Sequence, residues 1–177
     1  MHYIDKAREQ LVDLVGKVVD STAGSGNSQT LTISRSRSEV EQFWRDPGRL
    51  SEVLGDVAEV RSTEPNNYEW TLNPGADEPT KWNTTLVEDD GRLRFVGEAG
   101  EDSTAQDSTD DPPEVELTFR DAPHDLGTEV TIRAKTPVPD ILTGAATFKV
   151  LYRARALLQT GELPTLMHNP SARQAAR

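Results

Sequence analysis

Between residues 57 and 135 the chain alternates apolar and polar residues at period two in six successive segments, and one long helical stretch follows. The first segment is 57–63. In 67–72 Tyr68, Trp70 and Leu72 share a face, and in 80–88 Trp82, Thr84 and Leu86 do so. Leu93 and Phe95 pair in 92–97, Val115, Leu117 and Phe119 in 114–121, and Val130, Ile132 and Ala134 in 127–135. Strict alternation means that one face of each strand packs on something apolar while the other meets water. Turn signals separate the segments: Pro65-Asn66-Asn67, Asn73-Pro74-Gly75, Asp90-Gly91 and residues 125–127. Their spacing is that of hairpins, so the pattern predicts an antiparallel meander.

The flanks complete the prediction. Leu31 and Ile33 mark an earlier strand beginning at Thr30. Ser36-Arg37-Ser38-Glu39 reads as a capping box that opens a short helix with Val40, Phe43 and Trp44 on its apolar face. Asp46-Pro47 starts a second short helix, which runs to about Val53 and closes at Gly55. Pro137 and Pro139 end the last strand. A long helix is expected from Asp140, as N-cap, to Gln159, with Ile141, Ala145, Phe148, Leu151, Tyr152 and Ala156 on its apolar stripe. A single sheet with one buried face needs a cover, and only this helix is large enough. The expected class is therefore α+β: a helix-grip fold in which a curved antiparallel sheet of about seven strands wraps the C-terminal helix and leaves an apolar cavity between them.

Ahead of this domain, residues 1–20 are expected to form an amphipathic helix, with Tyr3, Ala7, Leu11, Leu14, Val15 and Val18 on one stripe. Residues 21–29 (STAGSGNSQ) read as a Gly/Ser linker. The domain proper spans 30–163, and 164–177 reads as a flexible tail. The N-terminal helix is expected to dock on the domain, pair with a second copy in a homodimer, or contact a partner.

With a net charge of −11 the chain lacks the basic surface that nucleic acid or anionic lipid requires. The excess is local, since residues 98–114 hold seven acids and no Lys or Arg. That loop lacks the residue order of a calcium loop and reads as solvated, with a lid over the cavity mouth as the functional alternative. No stretch approaches the ~20 apolar residues of a membrane helix. The charged residues among the first twenty leave no signal-peptide core, so a cytoplasmic protein without an integral membrane segment is expected. The chain has no cysteine, which excludes disulfides, thiolate catalysis and cysteine-based zinc sites. His2, His124 and His168 share no face, so no metal site or His-based triad is expected. Gly24-Ser25-Gly26 precedes a strand rather than a helix and lacks the context of a nucleotide loop. No cofactor is expected.

The run LTISRSRSEVEQFWRDPGRLSEVLGDVAEV (residues 31–60) resembles the start of the SRPBCC (START/Bet v 1-like) superfamily, in its polyketide cyclase/dehydrase-like and coenzyme-Q-binding-like branch. Trp70, Lys81-Trp82, Gly127-Thr128-Glu129-Val130 and Gln159-Thr160-Gly161-Glu162 fit the same pattern. The resemblance covers residues 29–164 and implies the helix-grip fold. Because its motifs are architectural, it implies no single activity: the superfamily holds lipid carriers, aromatase/cyclases and hormone receptors. The N-terminal helix and the long acidic loop are departures from it.

Trp44, Trp70, Trp82, Phe95, Phe119, Phe148 and Tyr152 all fall at expected inward positions. Most must pack the core. The expected pocket-lining set is Trp70, Trp82, Thr84, Phe95, Phe119, Phe148 and Tyr152, with Thr84 and Tyr152 as polar contacts; aromatic walls suit a flat or polycyclic apolar ligand. No inward acid–base pair stands out, and Glu59 and Arg61 merely share a strand face. The first functional expectation is therefore binding or transport of a small hydrophobic molecule such as a lipid, a quinone or an aromatic polyketide. A polyketide cyclase/dehydratase and an interaction module with a vestigial cavity are the alternatives.

Overall fold

The computed structural model describes residues 28–98 and 112–164. Seven strands form one antiparallel sheet: β1 (Ser28–Ile33), β2 (Ala58–Glu64), β3 (Asn67–Leu72), β4 (Thr80–Asp89), β5 (Arg92–Gly97), β6 (Glu114–Asp121) and β7 (Thr128–Lys135). Their order is β1-β7-β6-β5-β4-β3-β2, so the meander runs from β2 to β7 and β1 closes its far edge. Asp90-Gly91 makes the two-residue loop between paired Asp89 and Arg92, with Gly91 at φ 70°. β1 begins two residues before the expected Thr30, because Ser28 and Gln29 already pair with Arg133 and Ile132 of β7.

Helices α1 (Arg37–Arg45) and α2 (Pro47–Leu54) lie between β1 and β2. The capping box is formed: Ser36 Oγ accepts from the Glu39 amide, and the Glu39 carboxylate accepts from the Ser36 amide at 3.1 Å. Asp46 caps α2 by accepting from the Arg49 amide at 3.0 Å.

Helix α3 (Gly144–Thr160) starts later than expected. Asp140 has φ 62°, in the left-handed region, and cannot serve as an extended N-cap. Residues 137–143 make turns instead, and Thr143 caps the helix by accepting from the Ala146 amide. Gly161, at φ 76°, stops it as expected.

Two arginines fix how α3 sits. Arg35, just past β1, donates to the Leu158 carbonyl at 2.8 Å and to that of Gln159 at 3.4 Å, placing a cation on the C-terminal carbonyls of α3. Arg153 of α3 donates to the Val53 carbonyl near the end of α2 at 3.3 Å. A side chain on Gly55 would collide with that guanidinium, so the glycine there also admits the contact. Held in this rotation, α3 buries Thr147, Val150, Leu151, Ala154 and Leu157.

The inward strand residues match the expected alternation, with Trp70, Leu72, Leu93, Phe95, Leu117 and Val130 almost wholly buried. The expected N-terminal helix, most of the linker, the acidic loop and the tail lie outside the described residues, as do His2 and His168. No helix among the described residues is long and apolar enough to cross a membrane.

Candidate functional site

Three walls meet under α3. The sheet supplies Trp70, Phe95, Val115, Leu117 and Ile132; the short helices supply Trp44, Leu50 and Leu54; the C-terminal segment supplies Leu142, Thr147 and Val150. They enclose a hole of about 20 Å3, counted as room for the centre of a water molecule. That is space for about one water, against ligand pockets of several hundred Å3. The hole is nonetheless apolar, and no ionisable side chain lines it.

The aromatic wall is built by strand register. Trp70 faces Trp82 across β3 and β4, with ring centres 5.4 Å apart. Phe95 meets Trp70 edge-on at 5.4 Å and Tyr68 at 5.2 Å. Such T-shaped pairs match the positive ring edge to the negative face. The Trp70 indole donates from Nε1 to Thr84 Oγ1 at 2.9 Å, which satisfies a donor that burial would otherwise strand. Trp82 lies over Gly97, where a Cβ would intrude on the indole. The Nε1 atoms of Trp44 and Trp82 are buried and meet no acceptor among the described residues.

Of the seven residues expected to line a ligand pocket, Trp70 and Phe95 border this hole. Trp82, Thr84 and Phe119 are buried in the same core but outside the hole's lining. Phe148 and Tyr152 require correction: they are 48 % and 47 % exposed on the outer face of α3. The expected stripe picked one of two apolar faces on this helix. The two arginine contacts in its C-terminal half, and the small Ala154 pressed fully inside, turn Thr147, Val150 and Leu157 inward, and Leu151 of the expected stripe is buried with them. Trp44, Thr147 and Val150 also border the hole, and the i, i+3, i+4, i+7, i+10 spacing of the buried residues 147–157 was the signal for the last two.

Next to Trp44 in sequence, Arg45 grips Glu88 through two hydrogen bonds of 2.8 and 3.1 Å. The Arg45 guanidinium holds the Glu88 carboxyl below its usual range, and Glu88 raises Arg45 in return. Tyr68 donates its hydroxyl to the Arg45 carbonyl at 2.8 Å. Burial pushes the phenol up, Glu88 adds to this, and Arg45 opposes it. The Tyr68 phenol, packed against Phe95 of the hole's wall, is thus already committed to a structural bond. Among the described residues no three His, Cys, Asp or Glu side chains are placed to hold a metal, and His124 sits in a 3-10 turn on the surface.

No protein-family model and no curated protein matches the sequence. Solved structures do match the fold. A protein of Deinococcus radiodurans superposes with a TM-score of 0.59 at 21 % identity, over 76 % of this chain and 98 % of that one. The Aha1 dimer of Colwellia psychrerythraea gives 0.54 at 11 % identity, over 76 % and 96 %. The di-domain ARO/CYC StfQ of the steffimycin biosynthetic pathway gives 0.52 at 12 % identity, over 74 % of this chain and 44 % of that one. The described domain thus shares its fold with these structures, in keeping with the SRPBCC/Bet v 1-like fold that its motifs imply.

Proposed function

We propose that the chain binds a small hydrophobic molecule between the sheet and α3, and that the hole beneath Leu142 and Val150 is the closed form of that site. The supporting observation is a small apolar hole walled by Trp44, Trp70 and Phe95 with no ionisable group in its lining. Such a wall favours a flat, apolar molecule and offers nothing to bond or transfer a proton.

The way in is the wall that costs least to move. Trp70, Phe95, Leu117 and Ile132 are held by strand pairing on both sides. Residues 137–143 belong to no helix or strand. Segments tied by few backbone bonds open at lower free energy than core strands. Swinging Leu142 outward extends the hole toward the start of α3. A quinone, a fatty acyl chain or an aromatic polyketide has the required character; the size of the closed hole favours the more compact of these.

A cyclase reading draws on the likeness to the ARO/CYC structure, but no acid–base pair lines the hole, so a carrier or binding module is the better reading. The near-filled core favours one rival, an interaction module whose cavity is vestigial. Native mass spectrometry of the protein purified from its own host separates the two. A retained small molecule, or a thermal shift with quinones, fatty acids or flat aromatics, is the expected result. A bare protein mass together with no shift across that panel overturns the proposal in favour of the rival.

A further inference from the structure

We propose that residues 3–19 of this chain fold as a helix and lie along the outer face of α3, over Phe148 and Tyr152. This inference is independent of ligand binding and starts from the two apolar sides of α3. Val150, Leu151, Ala154 and Leu157 are buried. On the opposite side Ala145, Phe148 and Tyr152 are exposed, and the two rings stack on each other with centres 6.5 Å apart. Among the described residues only Leu126 is as open for a large hydrophobic side chain. A helix with apolar residues on both sides is normally covered on both.

The chain's own path supplies the cover. β1 begins at Ser28 beside the start of α3, where the Gln29 side chain lies 3.2 Å from the position a Cβ on Gly144 would take. It then runs alongside α3 in the same direction, since Arg35 reaches the Leu158 carbonyl at the far end. The preceding chain therefore arrives at the end of α3 nearest Phe148. Residues 20–27 extend to at most about 29 Å, ample to pass round a helix about 10 Å across. Beyond them, Tyr3, Ala7, Leu11, Leu14, Val15 and Val18 fall on one helical stripe. Residues 3–19 would make a helix of about 25 Å, the same number of residues as the 17 of α3. A second copy could present the same stripe, but a short tether holds the chain's own segment at about millimolar effective concentration, which dilute free copies do not match.

The absence of cysteine allows a direct test in the full chain. Lys149→Cys places one thiol on the exposed face of α3, beside Phe148. It is combined with Leu11→Cys, on the apolar stripe of the segment, or with Asp13→Cys, on its opposite side at nearly equal tether length. A short bifunctional thiol reagent should join Leu11→Cys to Lys149→Cys within one chain at least about tenfold faster than Asp13→Cys, as a docked thiol has the higher effective concentration. Adding Phe148→Ser and Tyr152→Ser should erase that preference; both sites are half exposed, so the fold persists, and near-ultraviolet circular dichroism verifies this. Equal rates for the two positions would mean a tethered but undocked segment and would overturn the proposal. Products that link two chains instead of one would assign the face to a second copy and overturn it equally.

Discussion

The aromatic core under β3, β4 and β5 and the outer face of α3 are both built from large rings, yet the central rings of the first, Trp70 and Phe95, each meet two others, whereas among the described rings Phe148 and Tyr152 meet only each other. Trp70 touches Trp82 and Phe95 and bonds Thr84, all placed by strand register. Phe148 touches Tyr152 along its own helix. The first region defines the fold and leaves only a small hole; the second is free to vary without disturbing that core. The proposed ligand capture therefore depends on movement of the loosest wall, whereas the outer face is available for docking at no cost to the sheet.

The comparison breaks most visibly at Trp70. Trp70→Ala removes the centre of the ring cluster and should cost about 3–5 kcal/mol, read as a large fall in the urea midpoint. A loss below about 1 kcal/mol would mean that the cluster does not carry the core. Thr84→Val keeps the shape and strands the Trp70 indole donor. It should cost about 1–3 kcal/mol and shift the indole proton resonance of Trp70. Phe148→Ser should cost about 1 kcal/mol or less in the same urea assay, because undocking a tethered segment leaves the core intact; a loss equal to that of Trp70→Ala would erase the distinction between the two regions.

The smallest effect is expected at Glu88→Gln. Arg45 and Glu88 are 36 % and 43 % exposed, so solvent screening limits their pairing to a few tenths of a kcal/mol, at most about 1. Its pH dependence has a definite sign. The folded state holds the Glu88 carboxyl below its unfolded value, so the pair stabilises above about pH 4.3 and the gain disappears as pH falls through the folded pKa. Wild type and Glu88→Gln should therefore differ at pH 7 and converge only once the pH has fallen below the lowered folded pKa of Glu88, in paired thermal melts.

Period-two alternation made the sheet legible from sequence almost residue by residue, because a strand in a one-sided sheet offers only two faces and Tyr68, Trp70 and Leu72 leave no doubt which is buried. The caps at Ser36 and Asp46 were legible for a similar reason: a side-chain acceptor three residues ahead of a free amide is a local event. The phase of α3 was not. Ala145, Phe148, Tyr152 and Ala156 form as good a stripe as Thr147, Val150, Ala154 and Leu157, and the choice between them rests on Arg35 and Arg153, which act across more than a hundred and about a hundred residues of sequence, respectively. The start of α3 shifted because the positive φ of Asp140 belongs to a turn that sequence pattern does not reveal. The size of the hole was equally hidden, since it depends on how closely Trp44, Leu142 and Val150 approach from three separate elements.

The central claim, that the apolar hole under α3 opens to admit a hydrophobic molecule, is tested most directly by nuclear magnetic resonance. The indole signals of Trp44, Trp70 and Trp82 would be followed during titration with naphthoquinone, in the wild type and in Val150→Phe, which fills the hole. The account predicts saturable shifts of Trp44 and Trp70 in the wild type and their loss in a folded Val150→Phe. Unmoved indole signals in the wild type, or identical shifts in both proteins, would contradict it.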